Sequence, residues 1–235
     1  MINTALIIEP RYLEKLPLII HEFYNKLGSN WKIVFYCGQN LKSLWKLHLY
    51  DDIEIRELNV NNFNTSYEYS YFCKQKSLWE SLYGDYVLIF QADTWIFNEK
   101  PYTIDYFINL NKSYIGGNMT YPWFELFREN INTHYKNFNG GLSLRKKQHM
   151  INIINKFPPK MKTNNIINDL LSDEEDVYFT IGCYKLGYSV GDNKESGYFA
   201  IHTIYYDKSF GIHKPIPQIK DIIYKKYPEL ANLYL

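Results

Sequence analysis

The sequence predicts an α/β fold: one domain built around a mostly parallel central sheet with helices on both faces. Three observations carry this. Short apolar runs alternate with amphipathic segments through the first half of the chain, which is the pattern of a parallel sheet. The connections between them are short. One run, Val87-Leu88-Ile89-Phe90, is apolar throughout, as in a strand covered on both faces.

Residues 4–8 read as the first strand, ended by Glu9-Pro10-Arg11. Residues 13–27 carry apolar side chains at Leu16, Ile19, Ile20, Phe23 and Leu27, a helical spacing, and Gly28 is a natural stop. A second strand over 31–37 ends before Gly38, and a short helix follows at 41–49. Residues 53–58 alternate as a third strand, residues 67–83 read as one longer helix stopped by Gly84, and 86–90 is the fourth strand. The second half is more variable. Strands are expected at 114–117 and 140–144, and a helix over 146–156 is broken by Pro158-Pro159. A further helix opens near Ser172 and runs to Leu186, with Gly187 as its stop. The stretch 189–217 reads as strand-poor and loop-rich.

Composition narrows the function. The chain has 235 residues, 46% hydrophobic and 22% charged, enough to bury a substantial core in one domain. Aromatics reach 18%, including 23 Tyr; such rings suit carbohydrate and nucleobase faces, and a coding bias toward Tyr, Asn, Ile and Lys explains them equally well. The net charge is +1 and the basic residues are scattered, which argues against nucleic acid as a partner. No apolar run nears the roughly 18 residues of a membrane span. Cys37, Cys73 and Cys183 fit neither a metal spacing nor a disulfide framework. With no visible signal peptide, a cytoplasmic location is expected.

Four motifs carry chemistry. The first is Gln91-Ala92-Asp93, where a buried strand ends at a lone carboxylate. Ligands of open α/β sheets bind beyond the carboxyl ends of strands. A carboxylate there suits a divalent cation and a substrate phosphate. The alternative is that Asp93 only begins a turn. The second is Asn139-Gly140-Gly141-Leu142-Ser143-Leu144-Arg145. Its paired glycines let backbone approach a ligand closely, and the Arg145 fork suits a phosphate or carboxylate. The alternative is a tight turn with Arg145 on the surface. The third is Ser172-Asp173-Glu174-Glu175-Asp176. Ser172 and Glu175 form a capping box, and Glu175 and Asp176 stand at a helix start, where a general base is well positioned and the dipole favours its charged form. The fourth is Phe210-Gly211-Ile212-His213-Lys214-Pro215. A lone His is more often structural than a ligand, but Gly211 and Pro215 fix the backbone around His213, and a neutral imidazole suits Mn²⁺ or Zn²⁺ more than Mg²⁺, so His213 could complete a coordination begun by Asp93.

In this order the four motifs resemble a family of GT-A-type glycosyltransferases catalogued as a domain of unknown function (DUF5672-like). That family occurs in bacteria, algae, fungi and large DNA viruses. The resemblance runs from Thr4 to about Pro215. It implies a GT-A-like (Rossmann-like) single domain over 1–235, with 1–97 as the nucleotide-binding half and 98–235 as the acceptor and catalytic half. It implies a nucleotide-diphosphate sugar as donor and a glycan, protein or small-molecule hydroxyl as acceptor. Mn²⁺ or Mg²⁺ would sit on Asp93 and His213. Asp176 would be the base of an inverting transfer, with Glu175 its rival. Glu9, Arg11, Gln91, Asn139, Gly140, Gly141, Arg145 and Lys214 would surround the donor. The chain departs from the pattern at Gln91, which replaces the first Asp of the usual Asp-x-Asp and brings no charge to the metal. For a viral member the location becomes the host cytoplasm. Two other classes fit the residues less closely: a non-catalytic nucleotide-sugar or glycan-binding module, and a metal-dependent phosphohydrolase. Segments 118–138 and 158–172 are expected to face the acceptor.

Overall fold

The computed structural model describes residues 2–119, 138–162, 171 and 174–233. Most of 118–138 and 158–172 therefore lies outside the described residues, as does Ser172 with its half of the capping box.

The central sheet has six strands in the order β3-β2-β1-β4-β7-β6. They are β1 (Asn3–Glu9), β2 (Trp31–Cys37), β3 (Glu54–Glu57), β4 (Tyr86–Phe90), β6 (Tyr114–Asn118) and β7 (Phe138–Lys146). The first four run parallel. β7 is antiparallel to both β4 and β6. The sheet is thus mixed, a correction to the mostly parallel one expected. The reason is local: β6 and β7 form an antiparallel pair at one edge, and no apolar period distinguishes strand direction in advance.

Strand alternation divides the core. Ala5, Ile7, Leu88 and Phe90 face one side, packed by α1 (Leu16–Leu27), α2 (Lys42–Trp45) and α5 (Ile104–Asn109). Leu6, Ile8, Val87 and Ile89 face the other, packed by α3 (Ser66–Cys73), α4 (Lys76–Glu80), α6 (Lys147–Lys156) and α7 (Glu175–Lys185). In α1 the buried residues are the five whose spacing announced the helix, and Phe23 stacks on Phe90 at 3.9 Å. Each such side chain contributes about 1.5–3 kcal/mol on burial.

The helix expected over 67–83 is two helices. Gln75 adopts an extended backbone between them, and the indole N–H of Trp79 donates to the Cys73 carbonyl at 2.8 Å, closing the end of α3. The turn is thereby satisfied internally, which an apolar period cannot reveal.

The stretch read as strand-poor holds a second sheet, β5-β9-β8, from β5 (Thr94–Ile96), β8 (Ala200–Ile201) and β9 (Gly211–His213). α8 (Asn193–Phe199) leads into β8, and α9 (Pro217–Lys226) with a final 3-10 turn (Pro228–Leu233) follows β9. α9 packs Ile219 and Ile223 against Ile201 and Ile212. Among the described residues no helix is long and apolar enough to cross a membrane. Cys37, Cys73 and Cys183 are buried free thiols.

Candidate functional site

β4 ends at Phe90, and the chain turns through Gln91-Ala92-Asp93 into β5. The turn is closed by Gln91 O, which accepts from the Thr94 backbone N–H at 3.2 Å and from the Thr94 hydroxyl at 2.7 Å. β9 pairs antiparallel with β5, setting His213 opposite Thr94. The Lys214 N–H then donates to Asp93 O at 3.1 Å. Residues far apart in sequence meet here because a three-residue strand pairs with another.

His213 Nε2 stands 3.1 Å from Asp93 Oδ1. That is ion-pair distance. Asp93 Oδ1 and both His213 ring nitrogens are buried and lack a hydrogen-bond partner among the described residues. The rest of the Asp93 carboxylate is open, its side chain being 34% exposed. Burial pushes the Asp93 carboxyl up, but His213 and the Lys214 charge outweigh it and hold it below the usual carboxylate range. Beneath lies Gly141. A Cβ there would collide with the His213 ring and stand 2.7 Å from Gln91 Oε1. Only glycine lets the imidazole and the amide oxygen converge over this strand. Oxygen and nitrogen donors side by side, buried and with no hydrogen bond from the surrounding protein, fit a divalent cation, since buried polar atoms are otherwise hydrogen-bonded. Among the described residues no group of three His, Cys, Asp or Glu forms a cage. Two protein ligands leave most of the shell to substrate oxygens and water, as metals bound with phosphates prefer.

His202 backs this pair. Its ring stacks on His213 at 5.3 Å, and its Nδ1 donates to His213 O at 2.8 Å. Burial, then the neighbouring His213, depress it to about 4, so it stays neutral at pH 7.

A cavity of about 520 Å³ opens beside Gln91 and Asp93, over the carboxyl ends of β1 and β4. Glu9 and Arg11 line it, as do Phe63 and Tyr69. Arg11 is spent on Glu9: its Nε and Nη2 donate to the two carboxylate oxygens at 2.8 Å each. Glu9 is buried and Arg11 faces solvent.

β7 runs antiparallel to β4, so its first residues arrive beside the end of β4. Asn139 Oδ1 accepts from Gly141 N–H at 2.9 Å and tightens this stretch. Gly140 faces the start of α7. Its N–H donates to Asp176 Oδ2 at 3.2 Å, and a Cβ there would collide with Glu175 Oε1. The two glycines thus separate the Asp93–His213 pair from Asp176 by one thickness of backbone.

Asp176 is half-buried, and the groups around it are the charges of Glu174, Glu175 and Arg145 and the Tyr114 phenol. Burial first, and Glu175 second, raise its carboxyl to about 7. The dipole was expected to keep it ionised; desolvation outweighs that effect. Arg145 and Glu175 correct two further expectations. Arg145 is wholly buried, and its fork grips the Glu175 carboxylate through Nη1 and Nη2, the latter at 3.1 Å from Oε1. Nε donates to Ser143 at 2.9 Å, and the guanidinium lies 4.5 Å over the Tyr114 ring. Arg145 is therefore neither a surface residue nor open to a phosphate, and Glu175 gives both carboxylate oxygens to Arg145. Glu174 is the N-cap of α7, and its carboxylate accepts from Ser66 and Ser70 of α3 at 2.8 and 2.6 Å.

The structure brings Glu9, Arg11, Gln91, Asp93, Gly141, His213 and Lys214 to one edge, with Asn139, Gly140 and Asp176 behind it. Lys214 is exposed and in the left-handed region at φ 38°. Sequence reasoning missed Tyr69 and His202. No motif marked them; only their contacts do.

A family model described as a protein of unknown function (DUF5672) matches residues 52–213. The chain belongs to that family. No curated protein matches it. The DUF5672 match takes in β4, the Gly140-Gly141 strand, the start of α7 and His213, the last matched residue. It begins after Glu9 and Arg11, so the family assignment rests on a shorter span than the resemblance from Thr4 to Pro215, and the first-strand end of the cavity lies outside it.

Proposed function

We propose that this protein is a metal-dependent glycosyltransferase of GT-A-like design, moving a sugar from a nucleotide-diphosphate sugar to a hydroxyl acceptor. One observation carries the reading: the Asp93–His213 pair, with no hydrogen bond from the surrounding protein on its facing atoms, stands beside an open cavity at a strand edge, with a carboxyl of raised pKa across the Gly140-Gly141 backbone. Mn²⁺ or Mg²⁺ bound there supplies Lewis acidity to the departing diphosphate. Asp93 and His213 hold that ion. The cavity at Glu9 and Arg11 takes the nucleoside. Asp176, with its pKa near the working pH, takes the proton of the acceptor hydroxyl. The acceptor oxygen bonds the sugar carbon while the sugar–phosphate bond breaks, its electron pair leaving with the diphosphate. A single displacement of this kind inverts the sugar carbon. The acceptor is a glycan, a protein or a small molecule bearing a hydroxyl.

Nucleotide sugars screened by thermal shift with Mn²⁺ are expected to raise the melting temperature, because a ligand of the folded state stabilises it by mass action. Release of nucleoside diphosphate then separates an enzyme from a binding module. Asp93→Ala is expected to lower that turnover by roughly two to three decades with the fold intact, since a Lewis acid supplies several kcal/mol. Near-native turnover of this variant at any Mn²⁺ level rules the assignment out. His213→Ala is expected to move half-saturation to higher Mn²⁺; an unchanged Mn²⁺ dependence returns His213 to a structural role.

A further inference from the structure

The departure at Gln91 has a structural counterpart. Gln91 Nε2 donates to the Tyr69 hydroxyl at 3.2 Å. A phenol oxygen accepts as well as donates, and here its lone pair faces the amide N–H. That fixes which way the amide faces. With Nε2 held by Tyr69, Oε1 is turned the other way, to the spot over Gly141 where the His213 ring also arrives. Amide oxygens are ordinary ligands for hard divalent cations.

We propose that Gln91 Oε1 is the third protein ligand of the cation held by Asp93 and His213, and that Tyr69 is the positioning residue that aims it. The inference rests on the metal-dependent reading above. It accounts for glycine at 141: any side chain there would fill the space that the ring and the amide oxygen share. It also gives the site one carboxylate and two neutral donors, so the ion keeps more of its positive charge for a diphosphate than in a site with two carboxylates.

The test is a Mn²⁺ titration followed by electron paramagnetic resonance, with Mn²⁺ alone and with Mn²⁺ plus a nucleoside diphosphate. The proteins are the native chain, Gln91→Ala, Tyr69→Phe and the double variant. Removing an outer partner of a metal ligand costs 10–100-fold in affinity. Tyr69→Phe is expected to weaken Mn²⁺ binding by about tenfold, and Gln91→Ala by at least as much. The double variant is expected to match Gln91→Ala, because Tyr69 acts only through the amide. Gln91→Asp is expected to bind Mn²⁺ whether or not Tyr69 is present, since a carboxylate has no wrong end to present. Native-like affinity in Gln91→Ala overturns the third ligand while leaving the two-ligand site standing. Additive losses in the double variant overturn the positioning role. If the native chain binds no Mn²⁺ even with nucleoside diphosphate, the metal-dependent reading falls and takes this inference with it. Far-ultraviolet circular dichroism of each variant separates lost affinity from lost fold.

Discussion

Asp176→Asn is expected to lower sugar transfer by roughly two to four decades, the range that a positioned general base supplies, while donor binding stays native. The geometry explains the separation. Asp176 accepts two backbone bonds, from Gly140 N–H on Oδ2 at 3.2 Å and from Val177 N–H on Oδ1 at 2.8 Å, and an asparagine that turns its oxygen to one of them keeps that bond and the side chain's place. What the substitution removes is the proton acceptor. The pH profile gives an independent reading. The carboxyl of native Asp176 sits at about 7 against an ordinary 3.8. Transfer is expected to rise as pH passes through about 7, as the base ionises, and to level off above it. Stability runs the other way. A carboxyl whose folded pKa is raised contributes its full stability below the unfolded value, and that contribution is lost as pH rises through the folded one. The native protein therefore loses stability between about 4 and about 7 from this group, and Asp176→Asn should be free of that loss. Denaturant melts across this window, beside initial rates, test both halves. If Asp176→Asn remains active and Glu175→Gln is dead while still folded by circular dichroism, the base is Glu175 and the assignment is reversed. If both remain active, the inverting mechanism has lost its base.

How much of this was legible depended on whether a residue's role is local. β1, β2 and β4 announced themselves because buried parallel strands are apolar runs, and α1 because its five apolar residues keep one face. β5 and β9 did not, because strands of three residues exist only through their pairing with one another. Asp93 was readable as a carboxylate at a strand end, and His213 as an imidazole in a constrained loop. Their meeting at 3.1 Å follows from the β5–β9 register, which no spacing encodes. Arg145 and Glu175 misled because each has a sufficient local explanation: an exposed fork, and an acid in a first helical turn. Their true partner is each other, and burial is a property of the whole fold. The same holds for Asp176. A helix N-terminus lowers a carboxyl pKa, and that much is visible in sequence; the desolvation that overrides it is not.

The Arg145–Glu175 pair yields the largest expected change in stability. A capping role predicts that Glu175→Gln costs about 1 kcal/mol or less, because glutamine also serves in a capping box. The structure predicts more. Arg145 is wholly buried and the Glu175 side chain is 6% exposed. Removing one partner strands a charge in the interior, which costs about 3–5 kcal/mol. Against a domain stability of about 5–15 kcal/mol, such a loss lowers the denaturant midpoint sharply. Glu175→Gln leaves the guanidinium facing a neutral amide, and Glu175→Leu leaves it facing none; the second should be the worse. Tyr114 and Phe179 soften the penalty, since the guanidinium lies 4.5 and 5.4 Å over their rings. The decisive comparison is the double replacement Arg145→Met with Glu175→Leu. A buried pair exchanged for apolar side chains of similar volume is often neutral in stability. The double variant should therefore be more stable than Glu175→Leu alone, with a coupling energy of about 0.5–3 kcal/mol in a double-mutant cycle. Independent, additive losses would mean that water already reaches the pair. Because the Glu175 charge is the largest electrostatic influence raising the Asp176 carboxyl, Glu175→Gln should also move the pH–rate profile toward lower pH. A shifted profile and a lowered midpoint together distinguish a buried ion pair beside the base from a cap at the end of a helix.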